Sequence, residues 1–220
     1  MRVGVLRRRL SMPALISMIM SWALFSAWPV AAQVKLEDAQ LVQALKAGGH
    51  VIVFRHGATF SNQADTDPLN PANVARQRQL NDKGIAAAKS LGAAFKAIGV
   101  PVGPVWTSEF YRAYQTAVLA GLPKPVKTRE ITEGGLVVSP DENTRRAAAF
   151  RKLASMPPPN GVNTIIVSHK PNIIDSFGRD WFDVKEGEAS IFKPEGAAYK
   201  LVARVQMDDW PRIAAAPVEK

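Results

Sequence analysis

The chain has 220 residues, 47% of them apolar, which suits one domain with a sizeable core. It has no cysteine, which excludes disulfides, thiolate metal sites and a cysteine nucleophile, and its three histidines (His50, His56 and His169) are too scattered for a histidine-rich zinc site. The formal net charge is +9, but four arginines fall in the first nine residues, so the remainder carries only +5; that suits anionic substrates or an anionic envelope surface, and no long Lys/Arg stripe points to nucleic acid.

Arg2, Arg7, Arg8 and Arg9 form a positive start, residues 12–28 are mostly apolar, and Val30-Ala31-Ala32 supplies small residues for cleavage before Gln33. This is the pattern of a signal peptide over 1–32. The mature chain is therefore expected in the periplasm with no membrane anchor, and a chain without cysteine suits an oxidising compartment. A retained anchor is the competing reading; Pro13, Pro29 and the cleavage site count against it. The Arg7–Arg9 run matches a twin-arginine signal only weakly.

Residues 36–47 read as an amphipathic helix with Leu41, Val42 and Leu45 on one face, ended by Gly48-Gly49. His50 then opens a strand and reads as a structural or exposed histidine. Residues 51–54 are apolar and β-branched, a short buried strand of the kind parallel sheets use. Arg55, His56 and Gly57 follow at its C-terminal end, where open α/β sheets bind their ligands. Arginine offers a planar fork for phosphate oxygens, neutral histidine is a nucleophile, and glycine lets backbone and ligand approach closely.

Residues 59–80 are polar and aperiodic, and are expected to form a substrate-side loop. Asn81 or Asp82 then caps a helix reaching about Ile98, with Gly99 ending it. Residues 104–107 form a second strand, and Ser108 is expected to cap a helix from 109 to about 120. A third strand follows at 126–128, a loop over 129–142, and a helix over 143–156 with Phe150 and Leu153 inward and three prolines behind it; Arg145-Arg146 reads as its solvated face. Residues 164–168 are a fourth buried strand, followed at once by His169. Residues 189–192 and 199–205 form a hairpin around Pro194-Glu195-Gly196. The domain is placed at 33–206, and 207–220, without a pattern, is expected to be a loose tail.

Strands alternating with helices predict an α/β fold, a three-layer sandwich with a mainly parallel central sheet. Parallel strands would bring Arg55-His56, Ser108 with Arg112, and His169 to one rim.

Four ordered stretches carry a resemblance. Arg55-His56-Gly57 with Thr59 and Asn62 matches RHGxTxxN. Leu80, Gly84 and Leu91-Gly92 match an L-x-x-x-G…LG helix. Residues 108–117, from Ser108 through Arg112 to Ala117, match SxxxRAxQTA. Val167-Ser168-His169 matches the strand of a second histidine. Together they resemble the histidine phosphatase superfamily, in its phosphoglycerate-mutase-like branch, over about 51–175.

The resemblance implies a phosphoglycerate-mutase-like fold with no cofactor and no metal. It implies that His56 becomes phosphohistidine, that Arg55, Arg112 and His169 surround the phosphoryl group, and that Asn62, Thr59 and Ser108 add phosphate or substrate contacts. A proton donor is expected after the third strand; Ile131-Thr132-Glu133 fits the spacing, with Glu130 as the rival. These roles are physically coherent, because fixed cations stabilise the charge spread over a phosphoryl group in transfer, and Arg112 near a helix N-terminus adds to that potential. The W-E-G segment of the mutases is absent, which counts against mutase activity.

The expected function is a periplasmic, metal-independent phosphomonoesterase acting on a phosphorylated small molecule. Exported relatives that act on lipopolysaccharide core heptose phosphate resemble the chain in length and layout, which would make an envelope sugar phosphate the substrate; a phosphate-scavenging esterase is equally tenable. A non-catalytic phosphate-binding or envelope interaction protein on the same fold, and a phosphotransferase or mutase, are the alternatives.

Overall fold

The computed structural model describes Met1 and residues 36–134 and 137–217; of the expected leader, only Met1 falls among them. The elements run α1 Asp38–Ala47, β1 Val51–Arg55, α2 Asp82–Ile98, β2 Val102–Thr107, α3 Tyr111–Leu119, β3 Val126–Lys127, α4 Pro140–Ser155, β4 Asn163–Ser168, α5 Lys170–Phe177, β5 Ala189–Glu195, β6 Ala198–Val205 and α6 Trp210–Ala214. Helix α4 starts earlier than its apolar periodicity suggests, because the Ser139 hydroxyl accepts from the Glu142 N–H and Pro140 fits the first turn. Helix α5 also has a proline, Pro171, in its first turn, but no side-chain cap.

The strands form one sheet in the order β3-β2-β4-β1-β5-β6. β3, β2, β4 and β1 are parallel; β5 and β6 return antiparallel on the far edge. The side chains of β1 alternate between two cores. Ile52 and Phe54 join a core built with Leu41, Leu91, Phe95 and Ala113 from α1, α2 and α3. Val51 and Val53 join another with Phe150 of α4, Ile173 of α5 and Phe192. Helices thus cover both faces of the sheet, which is why β1 and β4 read as continuous apolar runs instead of alternating ones. The fold is a three-layer α/β sandwich.

Register is what builds the site. Arg55 lies opposite Ser168 in the β1–β4 pair, so His56 and His169 leave the sheet side by side, and the His56 N–H donates to the Ser168 carbonyl. Thr107 lies opposite Val167, which brings Ser108 to the same rim.

The turn behind His56 is held from below by α2. A Cβ on Gly84 would lie 2.1 Å from the Ala58 carbonyl oxygen, so only glycine lets the helix start approach so closely. The Asn81 side chain caps α2 by accepting from the Gly84 N–H and donates to the Thr59 carbonyl, tying loop and helix together.

Two expectations are corrected here. Residues 207–214 are not a loose tail: Trp210 and Ile213 are fully buried, and the Trp210 ring packs edge-on against Phe95 with centroids 5.0 Å apart. A short helix with two apolar anchors carries too weak a period to be legible in isolation. Arg146 is not solvated either; it is buried, donating to Glu142 and to the Thr132 carbonyl. Among the described residues no helix is long and apolar enough to cross a membrane.

Candidate active site

His56 is buried, and its Nδ1 lies 2.8 Å from the Gly57 carbonyl oxygen. A carbonyl only accepts, so Nδ1 carries the proton and Nε2 keeps its lone pair. Burial, the Arg112 charge and then Arg55 and Arg78 push the imidazole well below the usual histidine range. The ring is therefore neutral and nucleophilic in ordinary buffers. The Gly57 N–H donates to the Thr116 hydroxyl, which donates in turn to the Arg112 carbonyl, so Thr116 fixes the His56 turn against α3.

Arg112 leaves the first turn of α3 with no exposure to water. One end of its fork donates to Asp65 at 2.9 Å and the other to Glu133 at 3.0 Å, while its guanidinium carbon sits 4.6 Å from the centre of the Phe110 ring. The Glu133 oxygen that meets Arg112 also lies 3.4 Å from His169 Nδ1. An anionic oxygen thus occupies the point between these two residues. Arg55 is held by the Val184 carbonyl at 2.8 Å, with Glu186 at 3.6 Å.

His169 is fully buried, with its ring centroid 5.2 Å from that of His56. Its Nε2 lies 2.6 Å from the Ser108 hydroxyl. Burial and the Arg112 charge again push it well below the usual range.

A cavity of about 390 Å³ opens beside these groups, lined by Arg55, His56, Arg78, Glu133, Lys170 and Ile174, among others. Its size fits a phosphoryl group with part of its ester. Three of those residues are cationic, as is Arg112 behind Glu133.

Glu133 lines this cavity, whereas Glu130 turns away to pair with Arg145 at 2.7 Å. Three residues expected to contact phosphate or substrate lie outside the cavity lining. Ser108 does not line the cavity and does not cap α3, which begins at Tyr111; its hydroxyl serves His169 and accepts from the Phe110 N–H. The Thr59 hydroxyl donates to Glu186 at 2.6 Å, and Asn62 is exposed on a turn; neither lines the cavity. Arg78, Lys170 and Asp65 were missed. Arg78 and Asp65 lie within the loop expected on the substrate side, but nothing in an aperiodic segment says which side chains turn inward. Lys170 follows His169 directly, and adjacency to the second histidine was the available signal.

Residues 51–136 match the family model described as the histidine phosphatase superfamily (branch 1). The first histidine, Arg112 and Glu133 all fall inside the match, while His169 is supplied by the fold. The protein histidine phosphatase SixA, solved with tungstate, is similar at 18% identity and a TM-score of 0.51, covering 73% of this chain and 98% of its own. A candidate alpha-ribazole-5′-P phosphatase from Escherichia coli K-12 is similar at 18% identity and a TM-score of 0.53, with the same coverage of both chains. At such identities the likeness is one of fold. No curated protein matches the chain in sequence. Among the described residues, no group of three or more His, Asp or Glu is arranged to hold a metal ion.

The buried histidines set a pH dependence of stability. His50, His56 and His169 all have pKa values lowered first by burial. In the unfolded chain each titrates near ~6.5. Above that pH both states hold neutral rings and stability does not change on their account. As pH falls below ~6.5 the unfolded chain binds protons that the folded chain refuses, so stability falls. Glu142, held at about 2 by its bonds to Arg145 and Arg146, loses its contribution only at lower pH, below its ordinary carboxylate range. The denaturant midpoint is therefore expected to hold steady from about pH 8 to pH 7 and to decline between about pH 6.5 and pH 5. A flat midpoint across the lower range would show that the rings protonate in place.

Proposed function

We propose that this protein is a metal-independent phosphoric monoester hydrolase working through phosphohistidine at His56, exported by its leader and acting on a phosphorylated small molecule such as an envelope sugar phosphate. The observation that carries the chemistry is the state of His56: neutral, its Nδ1–H held by a backbone carbonyl, and its Nε2 lone pair left for a cavity lined with cations. Arg55, Arg78, Arg112 and Lys170 supply the positive charge that phosphoryl transfer requires.

In the first step the Nε2 lone pair of His56 attacks phosphorus and the bond to the ester oxygen breaks. A phosphoryl oxygen of the monoanionic ester takes the place of the Glu133 carboxylate between Arg112 and His169 and its proton passes to Glu133, which gives it to the leaving oxygen. In the second step a water attacks phosphorus, its proton goes to the Glu133 carboxylate, and the P–N bond electrons return to His56. The net positive charge of the mature chain and the leader support an anionic envelope substrate.

Three measurements test this reading. Rapid quench with labelled nitrophenyl phosphate is expected to leave acid-labile, base-stable label on the wild type and none on His56→Ala; equal labelling of the two would remove His56 from its role. Glu133→Gln is expected to lose roughly 10²–10⁴-fold on an alkyl phosphate, whose alkoxide needs a proton, and far less on nitrophenyl phosphate, whose leaving group does not. An equal loss on both would make Glu133 a phosphate-positioning group only. For export, N-terminal sequencing of the protein from the periplasmic fraction is expected to begin near Gln33, and an intact Met1 in the membrane fraction would favour the anchor.

A further inference from the structure

We propose that Ser108 is a positioning residue that sets the tautomer of His169, keeping its proton on Nδ1 so that this second histidine donates a hydrogen bond to the phosphoryl group.

Two ends of the ring lead to the same tautomer. At Nε2 the Ser108 oxygen stands 2.6 Å away. That oxygen already accepts the Phe110 N–H at 3.1 Å. Its own hydrogen has two places to go, His169 Nε2 at 2.6 Å or the Thr132 oxygen at 3.4 Å. Thr132 is already engaged, accepting from the Glu109 N–H and donating to the Thr128 carbonyl. The short contact is the better bond, so the hydroxyl donates to Nε2. At the other end, Nδ1 lies 3.4 Å from the Glu133 carboxylate oxygen. A lone pair there would face a second acceptor across a dry gap; an N–H faces it favourably.

A charged ring would donate from both nitrogens without help, but burial and Arg112 keep this ring neutral. A neutral imidazole has one N–H, and which end carries it decides whether the site gains a donor or an acceptor. With Nε2 held by Ser108, the donor faces the point now taken by the Glu133 oxygen, between Nδ1 and Arg112. This part rests on the phosphatase reading, in which a phosphoryl oxygen takes that point; the tautomer itself does not. No charge is added to the site, and the Phe110 ring, at 90° to the imidazole with centroids 5.5 Å apart, packs against it and holds the ring plane.

The test reads the tautomer directly. The chain has only three histidines, so ¹⁵N-histidine labelling gives three imidazole spin systems, with His169→Asn identifying its own. Wild type is expected to show His169 protonated at Nδ1 and bare at Nε2. Ser108→Ala is expected to move the proton to Nε2, and Ser108→Thr, which keeps the hydroxyl, to restore Nδ1–H. On nitrophenyl phosphate, Ser108→Ala is expected to lose about 10²–10³-fold in kcat, the cost of one donor at developing charge, and the threonine variant to recover most of it. A wild-type ring protonated at Nε2 overturns the proposal without any variant. A folded Ser108→Ala protein that keeps Nδ1–H overturns it as well. A correct tautomer switch in a protein that never forms phosphohistidine would instead sink the phosphatase reading and leave the role of Ser108 standing.

Discussion

Arg112 has no contact with water, and a buried guanidinium is stable only where its charge and its donors are matched. Asp65 and Glu133 match both ends of the fork, and the face of Phe110 covers the guanidinium carbon. The other parts of the site follow from this constraint. Asp65 also accepts the Arg78 N–H, so the long loop after β1 is anchored by the same carboxylate that neutralises Arg112. Glu133 reaches His169, so the segment after β3 is anchored as well. The Arg112 charge then acts on both imidazoles, helping to keep them neutral. Burial is the first reason that the two histidines carry no charge, and a cation that water cannot screen is the second.

The sheet supplies what the cation cannot, which is position. Parallel pairing of β1 with β4 and of β4 with β2 delivers His56, His169 and Ser108 to one rim within a residue of each strand end. A shift of one residue in either pair would turn one of these groups into a core face. The two apolar cores hold that register from both sides of the sheet, and α2 adds a third restraint through the close approach of Gly84 to the Ala58 backbone.

The parallel strands and the residues just beyond them were legible in the sequence because both depend on local pattern: an apolar run, then Arg55-His56-Gly57 or Ser168-His169. Glu133 was legible through spacing, and its separation from Glu130 needed only the direction of one loop. What was not legible depends on where polar side chains of aperiodic segments turn. Asp65 and Arg78 sit in a stretch with no period, and of the two residues that follow a motif in spacing, Thr59 points to Glu186 and Asn62 is exposed on a turn. Ser108 looked like a helix cap because a hydroxyl before a helix usually is one. Its neighbour across the sheet is a histidine 61 residues away, and no local pattern records that. Trp210 escaped for a related reason: one buried ring in a five-residue helix leaves no period.

The two histidines show how one side chain can present two opposite chemical faces. Both rings are neutral and both carry the proton at Nδ1, by the hydrogen-bond geometry of His56 and by the tautomer proposed for His169. They differ in which end is anchored by the protein. The His56 Nδ1–H is consumed by a backbone carbonyl, so the free end is a lone pair, the feature of a nucleophile. The His169 Nε2 is consumed by a hydroxyl, so the free end is an N–H, the feature of an oxyanion donor. Charge could not make this distinction, because two imidazolium rings with centroids 5.2 Å apart beside a buried arginine would repel one another and the nucleophile would be lost. An anchoring acceptor on one side and an anchoring donor on the other divide the roles at no electrostatic cost, and the division survives changes of pH for as long as burial keeps both rings neutral.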